Sequence, residues 1–373
     1  MRRLRSCACL LAAATTVSGC ASFGAGRLYE DQLGYSRALS DSQKAQTLLN
    51  IVRIRYGDSP VFLNTTQVIA GYTLQRSFNG TLTLAPGAST PTMLAGTPGA
   101  TFTQSPTFTF QPVTGEALAQ SIIRPLSPAE LLPLSLSGTP IDVLFRLAVQ
   151  SVNGLQNAAS LDAGNRGGSP GFYHLLINLR RLQIAGLLGA RLAPAPQSTS
   201  GGGAGTGGGG DHPAPPPEQH LVLIIRDSQD AQLQSVVLAT RRMLGLSRTA
   251  QEAEVIYGSG RAPAGKVAIL TRPILGVLSQ VGAEVQVPPE DIARGLTIAT
   301  VNDSAIMTRP TVIIHSGQTA PKDVFSAAQY RRRWYWIDSD DFDSKVAFSI
   351  LQMLVTLAAT TPPSNTVVTI PAH

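Results

Sequence analysis

All three cysteines of this chain fall within its first twenty residues, at Cys7, Cys9 and Cys20, and none follows. Whatever folds beyond residue 20 therefore has no disulfide, no cysteine-held metal and no thiol nucleophile. Its stability has to come from buried apolar side chains alone. The composition permits this, because 43% of the 373 residues are hydrophobic and 14% charged. Such a chain is too apolar for a disordered protein, and its length allows one large domain or two smaller ones.

The N-terminus reads Met1-Arg2-Arg3-Leu4-Arg5, then an apolar stretch around Leu10 to Ala14, then Val17-Ser18-Gly19-Cys20. A basic start, a short apolar run and small residues at the exit describe a secretory signal peptide over residues 1–19. The residues after Arg2-Arg3 do not fit a twin-arginine signal, so general secretion is expected. The tetrapeptide ending in Cys20 resembles the lipobox of bacterial lipoproteins. That resemblance implies that the Cys20 sulfur receives a diacylglycerol and its freed amine a further acyl chain, which makes the membrane a partner through lipid. Ala21 follows where an Asp would retain a Gram-negative lipoprotein at the inner membrane. The resemblance therefore implies an outer-membrane location facing the periplasm. Loss of Arg2, Arg3 and Arg5 with the signal lowers the formal net charge from +6 to +3. So mild a balance on so long a chain argues against nucleic acid as a partner.

Residues 20–40 read as a tether. Asp41 is expected to cap a helix carrying Ala45, Leu48, Leu49 and Val52 at helical spacing, with Gly57 ending it. Strand is expected over Val61–Leu74, and alternation at residues 81–84 and 107–110 predicts two strands joined by a long loop near 87–100. Ser127-Pro128-Ala129-Glu130 is a capping-box sequence whose helix Pro133 disturbs. Further helices are expected from Thr139-Pro140, with Val152 on the face of Ile141 and Phe145, and from Pro170. Residues 193–219 are Gly- and Pro-rich and read as a disordered linker or loop. Beyond them come a strand at Leu221–Ile225 and a helix capped by Ser228. Strands are then expected at residues 254–257, 266–271, 311–315, 329–337 and 366–370, and helices at 274–282 and 342–359. This order predicts an α+β fold, a mixed sheet with packed amphipathic helices and one flexible Gly/Pro-rich insertion. Its parts are 41–192 and 220–373, which could form one domain. No later window is long and apolar enough for a transmembrane helix.

Candidate chemistry is sparse. Gly260 to Val267 has the spacing of a phosphate loop but ends in Val267 where a hydroxyl is needed, and reads as a hairpin turn. Gly203, Gly205 and Gly208 match a dinucleotide fingerprint only formally, with no strand before them and no helix after. Asp338, Asp340, Asp341 and Asp343 lack the ligands of a calcium loop at Phe342, Asp343 and Ser349, and suit a helix N-terminus. Arg331-Arg332-Arg333-Trp334-Tyr335-Trp336 reads as one strand. It presents either a cationic-aromatic surface or a buried face with its arginines paired to acids. The histidines, His174, His212, His220, His315 and His373, form no metal or catalytic motif. No catalytic, cofactor-binding or metal residue is nominated. Cys20 is the one assigned site, for lipidation.

Three stretches, Leu49–Asp58, Pro140–Asn157 and Trp336–Lys345, resemble an uncharacterised family of proteobacterial lipoproteins. The family has no assigned activity, so the resemblance implies a location and no catalytic residue. The expected function is a lipid-anchored cell-envelope protein with a binding or scaffolding role and envelope protein partners. The alternatives are a subunit of an envelope secretion or transport assembly, or an envelope hydrolase. Arg53, Arg55, Asp338 and Asp341 are the residues whose replacement best separates these classes.

Overall fold

The stripe of Leu48, Ile51 and Val52 is fully buried, and the helix that carries it starts far upstream. The computed structural model describes residues 25–83, 93–158, 167–194, 219–300, 306, 309–359 and 368–371. In chain order its elements are α1 (Ala25–Arg55), β1 (Leu63–Thr83), β2 (Met93–Pro112), α2 (Gly115–Leu118) with a π-helical turn (Ala119–Ile123), α3 (Pro128–Leu136), α4 (Ile141–Ala148), β3 (Val149–Val152), β4 (Leu155–Gln156) and α5 (Pro170–Ile184). There follow β5 (Leu188–Pro194), β6 (Gln219–Ile225), α6 (Ala231–Met243), β7 (Glu252–Tyr257), β8 (Lys266–Thr271), α7 (Ile274–Glu284), α8 (Pro289–Ala293), β9 (His315–Gly317), β10 (Val324–Tyr330), β11 (Arg333–Asp338), α9 (Phe342–Ala358) and β12 (Val368–Pro371). The fold is α+β. Residues 25–40, expected as a tether, are helical, and Asp41 lies inside α1 instead of capping it. No helix among the described residues is long and apolar enough to cross a membrane.

Two units make up the chain, the first from Met1–Pro60 and Leu126–Leu354, the second from Val61–Pro125 and Val355–His373. The first holds a six-stranded mixed sheet in the order β4-β3-β8-β7-β6-β5. Strands β5 and β6 pair antiparallel from Leu188↔Ile225 to Pro194↔Gln219. The chain on either side of the Gly/Pro-rich segment therefore shares one sheet, while residues 195–218 lie outside the described residues. Apolar side chains of the sheet, Val152, Leu223, Val267 and Ile269, meet Ile141 and Phe145 of α4 and Leu179 of α5. Period-two burial of Ala253 and Val255 on β7 and of Leu221, Leu223 and Ile225 on β6 directs one face to those helices. The opposite face carries the ion pairs Arg191–Glu252 and Lys266–Glu254, both at 2.8 Å.

Local sequence explains several helix ends. Ser127 and Glu130 form the capping box, and Ser169 caps α5 by accepting from the Phe172 amide. For α6 the cap is Asp230, which accepts from the amides of Gln232 and Leu233, and not Ser228. Several further expectations need correction. Val152 stands on β3, because the helix ends at Ala148 and Val149 is already extended, yet it reaches the same core. Strands β7 and β8 are parallel, so residues 258–265 form a crossover and not a hairpin turn. That crossover is short for a parallel pair, and Asn153 fastens it. Its backbone is left-handed (φ 47°), its Oδ1 accepts from the amides of Ala262 in the crossover (3.4 Å) and Ala268 on β8 (2.7 Å), and its Nδ2 donates to the Leu244 carbonyl at 2.5 Å. Another correction is the expected strand 329–337, which is a hairpin of β10 and β11 turning at Arg331-Arg332. The strand expected over 311–315 is confined to β9, at residues 315–317.

The second unit is built on a long antiparallel ladder. Strands β1 and β2 pair without interruption from Gln67↔Thr109 to Thr83↔Met93, and β12 adds four residues beside Thr107–Phe110. Residues 93–100, expected in a loop, are strand. Glycine and proline at alternate positions hid a period-two pattern that runs on through Ala95, Thr97 and Thr101.

Candidate functional site

In the first unit, the C-terminal end of α1 meets the sheet β10-β11-β9. The helix closes on a Schellman motif in which Asp58 N–H donates to Arg53 O at 2.8 Å and Gly57 N–H to Ile54 O at 3.0 Å. Gly57 takes the left-handed conformation the motif demands (φ 74°). This turn delivers Arg55, Tyr56 and Asp58 to three different partners.

Arg55 is buried and donates to the carbonyl oxygens of Ala283 (3.2 Å) and Ile298 (2.9 Å) and to the Thr300 hydroxyl (3.1 Å). Burial lowers its pKa to about 10, partly opposed by Tyr56 and Tyr335, which leaves a cation at neutral pH. Ala283 lies in the last turn of α7, where a cation complements the helix dipole. Arg55 is therefore a structural clamp between α1 and α7.

Tyr56 donates to Asp291 Oδ2 at 2.7 Å, and its hydroxyl lies 2.7 Å from that of Tyr335, which serves as donor in turn. Tyr330 donates to Asp58 Oδ2. Burial, reinforced for Tyr56 and Tyr330 by these acceptors, raises the pKa of all three tyrosines. These shifts favour the neutral phenol, the reverse of what an activated nucleophile or base needs. The chain of hydroxyls is a fastening.

Beyond it lies the tip of the hairpin. Both central residues of the two-residue turn, Arg331 and Arg332, have positive φ (48° and 65°). Such turns usually carry Asn or Gly, and a left-handed arginine costs roughly 1–2 kcal/mol. Arg331 stands over the rings of Tyr56 (5.6 Å) and Tyr330 (5.4 Å), a cation–π arrangement that offsets part of that cost. Both arginines are exposed, while Arg333 is paired with Glu290 at 3.0 Å. The reading of arginines paired to acids thus holds for Arg333, and the cationic surface is confined to the tip.

The open face of the same sheet carries a fixed array. Trp336 Nε1 donates to Asp338 Oδ1 at 2.9 Å, and Asp338 Oδ2 lies 3.0 Å from His315 Nε2. His315 Nδ1 faces Gln286 Oε1 at 3.0 Å. The indole lies over Gly317, where a Cβ would stand 3.0 Å from the ring, so a larger residue would require the indole to shift by a few tenths of an ångström. Trp336, His315 and Asp338 are all half-buried, which leaves an aromatic plate flanked by a carboxylate and an imidazole.

The residues singled out in the sequence part company here. Arg55 is a clamp, Asp338 belongs to the open array, and Arg53 is half-buried on α1. Asp341 stands at the N-terminus of α9, accepting from the Ser344 amide (3.2 Å) and hydroxyl (2.6 Å) and paired with Arg309. Burial alone would raise its pKa, but these bonds outweigh burial and lower it. His174 is exposed, and His220 lies 3.5 Å from Glu254. Cys20, His212 and His373 lie outside the described residues. Among the described residues no group of three or more His, Cys, Asp or Glu could hold a metal ion. Tyr56, Tyr330 and Asp291 carried no sequence signal, because their partners are more than two hundred residues away, and His315 carried none because its nearer partners Gln286 and Asp338 follow no motif spacing. No family model, no curated protein and no solved structure matches the chain.

Proposed function

We propose that this chain is a lipid-anchored cell-envelope protein with a binding or scaffolding role, held at the outer membrane through Cys20 and facing the periplasm. The observation that carries this reading is Val17-Ser18-Gly19-Cys20 at the exit of a basic and then apolar N-terminus. Each buried methylene of an acyl chain contributes about 0.8 kcal/mol, so two or more chains hold a protein durably. The body suits such an anchor. Helix α1 begins at Ala25, five residues beyond Cys20, and its 31 residues span roughly 46 Å at 1.5 Å each. The arginine tip, which stands over Tyr56, therefore lies at the C-terminal end of α1, open to envelope protein partners.

The test is metabolic labelling with a fatty acid in the parent and in Cys20→Ala. Label is expected in the parent alone, and equal label in both chains would remove the anchor. Membership of a larger transport assembly is a second reading, favoured by the long ladder of the second unit.

A further inference from the structure

Between Asp58 and Glu116 the sequence contains a single charged residue, Arg76. This stretch holds the whole of β1 and β2, and their register sorts it into two chemically different faces. Pairs Val68↔Phe108, Ala70↔Pro106, Leu74↔Phe102, Phe78↔Pro98 and Leu82↔Leu94 fall on one face. Pairs Thr73↔Thr103, Gln75↔Thr101, Ser77↔Gly99 and Asn79↔Thr97 fall on the other. The apolar face has two departures, Gln104 opposite Tyr72 and Arg76 opposite Ala100. A soluble sheet covers an apolar face with helices or a second sheet, yet among the described residues no helix of this unit lies along the ladder.

The edges point the same way. In the order β1-β2-β12, β1 has no strand on its outer side among the described residues, and β12 covers β2 only from Thr107 to Phe110. Unpaired edges of this length are normally blunted by charge. Here only Pro98 and Pro106 interrupt one of them. From Val68 to Phe78 is ten residues, about 33 Å along the strand and about 25 Å when tilted, which is the height of a barrel's lipid-facing band. Arg76 falls two residues inside one end of that band.

We propose that the β1–β2 hairpin is a membrane-inserting segment that closes into a β-barrel with other copies of this chain. Lipid covers the face of Val68, Leu74 and Phe78, and the Thr/Ser/Gln face lines a polar interior. Since barrels of this kind have eight or more strands, two strands per copy require about four copies or more. The inference goes beyond the anchored-binder reading and needs no lipid on Cys20, because insertion would be driven by the hairpin itself.

The test uses the full chain with Cys7, Cys9 and Cys20 replaced by Ala, so that failure of the lipid reading cannot affect it. Single cysteines, Tyr72→Cys, Thr73→Cys, Leu74→Cys and Gln75→Cys, are labelled with an environment-sensitive dye. Vesicles of phosphatidylethanolamine and phosphatidylglycerol containing nitroxide lipid are then added. Quenching is expected to alternate, strong at positions 72 and 74 and weak at 73 and 75. Native mass spectrometry should find four or more copies, and the vesicles should release a trapped dye. Leu74→Arg should cut release at least tenfold, whereas Thr73→Arg, one residue along the same strand, should stay within about twofold. Near-ultraviolet circular dichroism checks that each variant keeps its fold. Equal quenching at all four positions would overturn the proposal, as would an alternation present without vesicles, which would mean that the face packs on protein. Quenching by monomers without dye release would overturn the barrel.

Discussion

The two units treat apolar residues in opposite ways. In the first, Leu48, Leu144, Phe172, Leu176 and Phe348 are buried in one core, and charges are neutralised locally, as in Arg309–Asp341, Arg333–Glu290 and Arg241–Asp227. In the second, apolar and polar residues are sorted by strand face along a ladder holding one charged residue. A globular core is specified by side chains that fit each other. A ladder can be specified by alternation alone, because a slip of one residue would exchange its faces. The first unit carries its own cover, and the ladder takes its cover from its surroundings.

The sharpest way to break this comparison is to damage the core of the first unit. Phe172 is fully buried and meets the Tyr173 ring edge-on with centroids 5.6 Å apart. Phe172→Ala should cost about 3–5 kcal/mol in urea unfolding. Amide protection along β1 and β2 should persist, and its collapse in parallel would merge the two units into one cooperative structure. Next is Arg55→Ala, which strips three acceptors of a charged donor and should cost roughly 2–4 kcal/mol. A cost under about 0.5 kcal/mol would show that the buried cation is no clamp.

Tyr56→Phe removes one bond to Asp291 and one from Tyr335, for about 1–2 kcal/mol at neutral pH. Its pH signature is specific. A phenol whose pKa is raised by folding stabilises fully below its unfolded value near 10, and that contribution is lost as pH rises beyond it. The parent should therefore lose stability above about pH 10 more steeply than Tyr56→Phe in alkaline unfolding titrations.

Arg332→Gly should act in the opposite direction and stabilise by about 1 kcal/mol, since glycine adopts positive φ without strain. If it also weakens capture of envelope neighbours in cell crosslinking, the strained arginine serves binding. The smallest effect belongs to Asp341→Asn, about 0.5–1 kcal/mol at pH 7. The folded carboxylate has a lowered pKa, so its contribution is present above the unfolded value near 3.9 and is lost as pH falls through the folded value. The variant should flatten the acid limb of the stability curve, and an unchanged limb would place the acid sensitivity elsewhere.

Much of the first unit was legible because its signals are local. Ser127 with Glu130, Pro170 after Ser169, and Gly57 after a periodic stripe mark helix ends through bonds made within four or five residues. Asp341 at the start of α9 was legible for the same reason, whereas Asp338, read with it as a helix-end carboxylate, stands on β11 and holds Trp336 and His315. Alternation also marked the ladder, except where Gly96, Pro98 and Gly99 look like turn residues when read alone. The arginine run was misread as one strand because two consecutive left-handed arginines violate the usual turn chemistry. The parallel pairing of β7 and β8 was hidden because an eight-residue connection normally makes a hairpin, and the residue that allows otherwise, Asn153, lies more than a hundred positions away.

What the sequence determined by itself was therefore whatever neighbours in the chain can enforce. That includes the thiol-free body, the caps, the helical stripes, the period-two faces and an N-terminus of lipoprotein type. The tertiary structure alone decided that Tyr56 meets Tyr335 and Asp291, that Asp338 holds both Trp336 and His315, and that a glycine-rich insertion joins two paired strands. The reason is physical. A contact made across an intervening stretch of chain, as far as the 279 positions between Tyr56 and Tyr335, leaves no periodicity behind, and it forms only after that stretch has surrendered its conformational freedom.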